Sequence, residues 1–334
     1  MKLISLYLNS LSPSIIIYLL LFIIKIIFDD YSKKIISKDM VESLEQFSKI
    51  FLIIFYLIEK QLSKKYNEEK NKRHISKFLF ILLICTIILS MIYNYFRIFF
   101  PFDNEESYQL LILTQLLFFY ILNSIIFEKI IYKHQILSIF MTLFLIILYF
   151  YIYKESLFLK SIIITIFSYV SAYSLLLVKY INQKYFISLY ILASMNGLID
   201  SIFTLYHLIN KNIFFDYINI GIILLILLNL LINLSTYYLF YKIIEKLGPI
   251  HAFMSGAIGY ALVIILVEIL NFTDLYKIIW LIILILSFMI YLEILELNFC
   301  GMNHNLKRII IQRNDKEIET IILHNKVYKE RLNL

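Results

Sequence analysis

The sequence predicts an all-α polytopic membrane protein with about ten transmembrane helices. Three observations carry that reading. Of 334 residues, 61% are apolar and only 16% are charged, with a mean hydropathy of +0.82, which is more apolar surface than a soluble fold can turn inward. The apolar residues gather into runs of about 20, the length that crosses a hydrocarbon core. The connections between runs alternate in charge, as loops on the two sides of a bilayer do.

Backbone groups inside lipid must be satisfied within their own segment, so each long apolar run reads as a helix. The runs fall near 9–28, 43–60, 78–98, 108–127, 135–153, 159–180, 186–208, 218–241, 250–270 and 276–297. The first follows Lys2 with no small-residue cleavage site behind it, so it reads as a retained helix rather than a removed leader. The second is the least apolar. Its Glu45 and Lys49 stand four apart, the spacing of an i,i+4 pair at the membrane edge.

The connection between the second and third runs carries Lys60, Lys64, Lys65, Lys70, Lys72, Arg73 and Lys77, and the next one, Pro101 to Glu106, is acidic. With both ends placed in the cytoplasm, most of the 31 Lys and Arg lie on the cytoplasmic side. The net charge of +7 is then a topology signal rather than a nucleic-acid footprint. Cys85 and Cys300 are too few and too far apart for a disulfide framework or a zinc site.

Ten spans divide into five and five, and halves with an odd number of spans insert with opposite orientation, the geometry of an inverted repeat. The expected organisation is a first half over residues 1–155, a second over 156–300 and a basic cytoplasmic tail over 301–334. The two halves differ in composition: residues 1–150 contain neither Gly nor Ala, whereas Ala193, Gly197, Gly221, Gly248, Ala252, Gly256, Ala257, Gly259 and Ala261 follow.

Several segments carry a family likeness. Phe127-Glu128-Lys129 before His134-Gln135 forms a polar turn after the fourth run. Ser168 to Lys179 makes a sixth helix with a basic exit. Leu247-Gly248-Pro249-Ile250-His251 leads into the small-residue stretch ending at Gly259, and a polar tail runs from Glu293 through Asn305 to Arg313 and Glu317. Together they resemble the drug/metabolite transporter superfamily, in particular its nucleotide-sugar-transporter-like, EamA-like protist members. The resemblance covers spans four to ten by residue and spans one to three by position. It implies ten helices in two inverted halves around a central solute site that works by alternating access. In sugar-nucleotide carriers an aromatic-Asn-Asn segment on helix seven reads the nucleotide; here Asn196 matches it. The Gly-Ala of the GDP-mannose signature matches Gly256-Ala257, while its Asn and Lys have no counterpart.

Candidate site residues follow from polar groups inside apolar runs, which face a bundle interior or a water path. Asn196 and Asp200 share a face of span seven, the first as a hydrogen-bond reader and the second as a proton or cation site, or else as a packing pair. Asn229 and Asn233 repeat that spacing in span eight, where amide groups glue helices together. In span nine, Ala252/Gly256 and Ala257/Ala261 are small-xxx-small pairs that admit a neighbouring helix or a solute. Lys25 lies deep in span one, placed either to neutralise an anionic group or to snorkel. Glu128, Lys129, Lys179 and Lys184 lie near helix ends, where lysines anchor. His207 and His251 have no second ligand at helical spacing.

The expected solute site comprises Lys25, Tyr173, Lys179, Asn196, Asp200, Ser255, Gly256 and Tyr260. No phosphate loop, nucleophile elbow or His-Glu-x-x-His signature occurs, so neither enzyme nor cofactor is expected. The expected function is secondary transport of a small polar or anionic metabolite, a nucleotide sugar among the choices, across an endomembrane or the plasma membrane. The alternative is a non-transporting relative that serves as a scaffold or trafficking partner. The expected partners are a small-molecule solute and the bilayer, with no nucleic acid. The oligomeric state stays open, a homodimer included.

Overall fold

A computed structural model describes residues 2–62, 77–99, 105–127, 131–152, 158–185, 187–210, 220–271 and 275–291. The sequence readings on the basic loop after Lys60, the acidic turn at 101–104, Glu128, Lys129, Cys300 and the 301–334 tail lie outside the described residues. The rest is helix, with no strand among the described residues: α1 (Lys2–Ile35), α2 (Lys38–Ile50), α3 (Leu52–Leu62), α4 (Lys77–Phe99), α5 (Glu105–Phe127), α6 (Lys133–Ile152), α7 (Phe158–Tyr185), α8 (Leu189–Asn210), α9 (Ile220–Lys246), α10 (Pro249–Asn271) and α11 (Leu275–Tyr291).

Six of these helices, α5 to α10, contain stretches long and apolar enough to cross a membrane. Shorter apolar stretches run over Phe78–Tyr93 in α4 and Ile278–Tyr291 in α11.

The distribution of exposure is that of a bundle in lipid. On α6, Phe140, Phe144, Ile147 and Tyr151 are exposed, whereas Ser138, Thr142, Leu145 and Tyr149 are buried. On α9, Ile220, Leu224, Leu227 and Leu231 face outward while Asn229, Asn233 and Thr236 are buried. Both helices thus present an apolar outer stripe and a more polar inner one at i,i+3/i+4 spacing, the reverse of a helix on a soluble core. Exposed apolar stripes of this extent mark a surface made for another apolar phase. The chain is a helical, membrane-embedded protein.

The second apolar run is not one continuous helix. Ser37 caps α2, its hydroxyl accepting from the Met40 N–H at 3.3 Å, and the helix breaks at Phe51 before α3 begins. At the other end of the chain, Gly248 adopts φ +119° and closes α9: the N–H groups of Leu247 and Gly248 both donate to the Ile243 carbonyl, at 2.8 and 3.3 Å. Only glycine takes that backbone conformation without strain. Pro249 follows as the first residue of α10, where its missing N–H costs nothing.

Packing joins the early helices to the later ones. α1 lies against α9 and α10; α2 against α8 and α9; α4 against α7 and α8; α5 against α7 and α6; and α11 against α6 and α10. Two large apolar clusters result. One unites α5, α6, α7, α10 and α11 around Leu113, Leu116, Phe119, Leu176, Met254 and Phe288. The other unites α1, α3, α4, α7, α8, α9 and α10 around Tyr18, Leu52, Leu79, Ile181, Tyr190 and Ile244.

Glycine sets the closest approaches. A Cβ on Gly197 of α8 would stand 2.5 Å from Lys49 Cβ and 3.2 Å from the backbone of α2. On α10, a Cβ on Gly256 would stand 3.3 Å from the Tyr18 hydroxyl, and one on Gly259 2.9 Å from Phe22 Cδ1. The small residues of span nine therefore receive the aromatic side chains of α1.

Candidate functional site

Charge enters the bundle on α1 and α2. α1 turns Tyr18, Phe22, Lys25, Asp29 and Ser32 to one side, while Ile16, Leu20, Ile24 and Ile27 face outward. α2 carries Glu45, Gln46 and Lys49 over about one turn. The sequence spacing suggests that Glu45 and Lys49 pair with each other, and the structure corrects this. Lys25 Nζ donates to Glu45 Oε1 at 2.8 Å, and Lys49 Nζ reaches Asp200 Oδ2 of α8 at 3.3 Å. With α1 and α8 both packed on α2, each charge finds a partner on a neighbouring helix, and pairing across helices removes more charge from the apolar interior than one intrahelical pair.

Tyr237 of α9 ties the two pairs together. Its hydroxyl donates to Glu45 Oε1 at 2.5 Å, and both Lys25 Nζ and Lys49 Nζ lie 5.2 Å from its ring centroid, within cation–π range. Lys49 also donates to Gln46 Oε1 at 2.5 Å, and Ser90 of α4 donates to Asp200 Oδ1 at 2.5 Å. A third carboxylate extends the network: Asn229 Nδ2 donates to Asp29 Oδ1 at 3.1 Å, and Asn233 Nδ2 donates to Asn229 Oδ1 at 2.7 Å. Lys25 is 9% exposed, Asp200 3%, and Asn229 and Asn233 0%, whereas Asp29, Glu45 and Lys49 are half-buried, so the network runs from the interior toward the bundle surface.

Of the expected site residues, Lys25 and Asp200 join this network. Asn196 is half-buried one turn before Asp200 on α8. The others serve different contacts. Lys179 of α7 donates to the main-chain carbonyl of Glu245 at 2.7 Å, placing a cation on the negative C-terminal end of α9. Tyr173 stacks on Tyr169 with centroids 6.0 Å apart and borders both apolar clusters. Ser255 donates to the His251 carbonyl at 2.7 Å and is 1% exposed. Gly256 meets Tyr18, seven residues before Lys25 on α1, about 10 Å of helix rise away. Tyr260 is half-buried beside the first apolar cluster.

The network residues left out of the expected site are Asp29, Glu45, Lys49, Ser90 and Tyr237, with Asn229 and Asn233 read as glue. Their signal is present as i,i+4 pairs of polar residues flanked by Ile and Leu: Lys25/Asp29, Glu45/Lys49, Asn229/Asn233 and Asn233/Tyr237. Chemically the arrangement offers two ammonium groups on one aromatic ring, each engaged by a carboxylate. No protein-family model matches the chain, and no curated protein matches it.

Proposed function

We propose that the chain is a secondary carrier that moves a small anionic or zwitterionic metabolite by alternating access. We propose further that its ten spans form two inverted halves, with both ends cytoplasmic. The observation that carries the reading is the pairing of a buried Lys25 and a half-buried Lys49 beside Tyr237, at the contact of α1 and α2 with α8 and α9. Buried charge in a membrane bundle is costly, and its common use is a solute or ion path.

Most of the polar links join residues of the first half to residues of the second: Lys49 to Asp200, Ser90 to Asp200, Tyr237 to Glu45 and Asn229 to Asp29. In the proposed cycle, an anionic solute group takes the lysines from Glu45 and Asp200. The links across the two halves then exchange, and one half rocks against the other.

Helix neighbours support the two-half reading. Number α1 as the first span, α2 with α3 as the second and α4 to α11 as the third to tenth. Exchanging each span with the one five places away turns the α1–α9 pairing into α7–α4, α2–α9 into α8–α4, α1–α10 into α7–α5 and α5–α6 into α10–α11. It returns α2–α8, α5–α10 and α6–α11 to themselves. All of these pairings occur.

The test is thermal stability of the purified protein against nucleotide sugars, nucleoside monophosphates, sugar phosphates and amino acids. A ligand at about 100 times its dissociation constant stabilises the folded state by roughly 2.7 kcal/mol. A selective shift that disappears in Lys49→Met and Asn196→Ala supports the carrier. Cooperative melting with no shift for any ligand would instead favour a packed scaffold, in which the ion pairs serve assembly alone.

A further inference from the structure

Carboxylates and lysines balance across the network among the described residues. Glu45 pairs with Lys25 and Asp200 with Lys49, and Asp29 lies in the electrostatic field of both Lys25 and Lys33. The two ion pairs are not equivalent. Lys25 and Glu45 meet at 2.8 Å, Glu45 is half-buried, and Tyr237 donates to the same carboxylate oxygen. Lys49 and Asp200 meet at 3.3 Å, and Asp200 is 3% exposed.

Drawing Lys49 away therefore has its consequence at Asp200. A carboxylate that water does not reach needs a charged partner, and the neutral hydroxyl of Ser90 on Oδ1 does not replace one. A solute that carries only negative charge engages Lys49 and leaves a buried carboxylate uncompensated. A solute that also carries a positive charge fills both ends of the opened pair. The space is narrow: Gly197, three residues before Asp200, brings α8 against the backbone of α2 at Lys49 and Ile50, so the inserted group is small. Asn196, one turn before Asp200, is half-buried, and its amide can both donate and accept.

We propose that the solute is a small zwitterion of the α-amino-acid type, which inserts between Lys49 and Asp200 with its carboxylate on Lys49 Nζ and its ammonium on Asp200 Oδ2. The two charges of such a molecule are separated by a single carbon beyond the carboxyl group, so each takes the place of the charge that moves aside and the interior stays neutral. The Tyr237 ring, 5.2 Å from Lys49 Nζ, keeps a contact with the ammonium of the lysine while it changes partner. Nucleotide sugars and sugar phosphates bring no cation for Asp200 and are disfavoured on charge. The zwitterion is the substrate of the carrier proposed above, and its selection rests on that reading.

The experiment is a melting series of the purified full-length chain at fixed neutral pH and ionic strength. The ligands are glycine, alanine, leucine, glutamine and phenylalanine, each beside its N-acetyl derivative, which keeps only the negative charge, and its amide, which keeps only the positive one. UDP-glucose and glucose 6-phosphate complete the panel. The expected result is a saturable rise in Tm with at least one free amino acid, whose half-saturation concentration is lower by about tenfold or more than that of either single-charge derivative, as the loss of one charged contact requires. In Asp200→Asn the advantage over the N-acetyl derivative disappears. An N-acetyl derivative, UDP-glucose or glucose 6-phosphate that acts as well as any free amino acid would overturn the zwitterion and leave the carrier standing. An advantage unchanged in Asp200→Asn would overturn the place of the ammonium. Should Asp200→Asn fail to fold, the three forms of each amino acid decide on the native chain. No shift with any member of the panel would remove both the zwitterion and the carrier.

Discussion

Lys49 and Asp200 are 151 positions apart in the chain and meet at 3.3 Å, with side chains 15% and 5% exposed. The pair ties α2 to α8 where Gly197 lets the two backbones touch. Removing one partner of a buried ion pair leaves an uncompensated charge, at a cost of about 3–5 kcal/mol. Lys49→Met is therefore expected to destabilise by about that much, and the double variant Lys49→Met/Asp200→Leu by clearly less than the sum of the two single changes. Melting midpoints of the three variants measure the coupling. Additive losses would mean that the pair does not act as a unit.

Gly197→Ala and Gly221→Ala make the same change in opposite surroundings. The new methyl at 197 meets Lys49 Cβ and the backbone of α2, whereas at 221 nothing lies within 4 Å. Overpacking is unfavourable by about 1–3 kcal/mol, and a contact with backbone has no rotamer to relieve it, so Gly197→Ala belongs at the upper end. Gly221→Ala is expected to be neutral or to stabilise by up to about 1 kcal/mol. Thermal melts alongside size-exclusion profiles compare them, and similar behaviour of the two variants would contradict the close approach of α8 to α2.

Tyr237 offers its hydroxyl to Glu45 and its ring to two ammonium groups, and two substitutions separate these roles. Tyr237→Phe keeps the ring and gives up a hydrogen bond to a charged group, about 1.5–3 kcal/mol. Tyr237→Leu gives up the ring as well, adding about 0.5–2 kcal/mol for each cation–π contact. The difference between their melting midpoints reports the ring contribution. If Leu is tolerated as well as Phe, the lysines draw nothing from the ring.

Ser138 of α6 and Ser287 of α11 donate to each other's main-chain carbonyls at 2.9 and 3.1 Å, and Tyr120 joins Ser138 at 3.1 Å. Hydrogen bonds between membrane helices contribute about 0.6–1.7 kcal/mol. Ser287→Ala should cost about that amount. Ser138→Ala should cost more, because Tyr120 also loses its partner. The order of the two melting midpoints is the check.

Helix positions are legible in this sequence because lipid imposes a minimum length of apolar residues, whereas the break at Phe51 inside the second run is not, because the residues on both sides of it are apolar. The apolar runs near 78–98, 135–153 and 250–270 fall almost wholly within α4, α6 and α10. The partners of the interior charges are not legible. Lys25 and Glu45 are 20 residues apart, Tyr237 and Glu45 192, and Asn229 and Asp29 200. A local pattern such as Glu45/Lys49 therefore points to the wrong partner. Lys179 illustrates the converse: its place near the end of the sixth run reads as an anchor, yet its bond to the Glu245 carbonyl depends on α9 ending beside α7, which no residue near 179 announces. Gly197 is visible as a lone glycine between Asn196 and Asp200, but what it touches is set by α2.

The close approaches described above all use glycines of the second half, at 197, 256 and 259, against bulkier residues of the first. The main neighbours of α1, α2 and α4 are α7 to α10. During synthesis the first half thus emerges as projecting side chains whose receptacles have yet to be translated. Among its first helices the Lys25–Glu45 pair joins α1 to α2, while most of their packing partners arrive with the later helices. Insertion into the bilayer and assembly of the bundle are in that sense separate events, and the second waits for the C-terminal half of the chain.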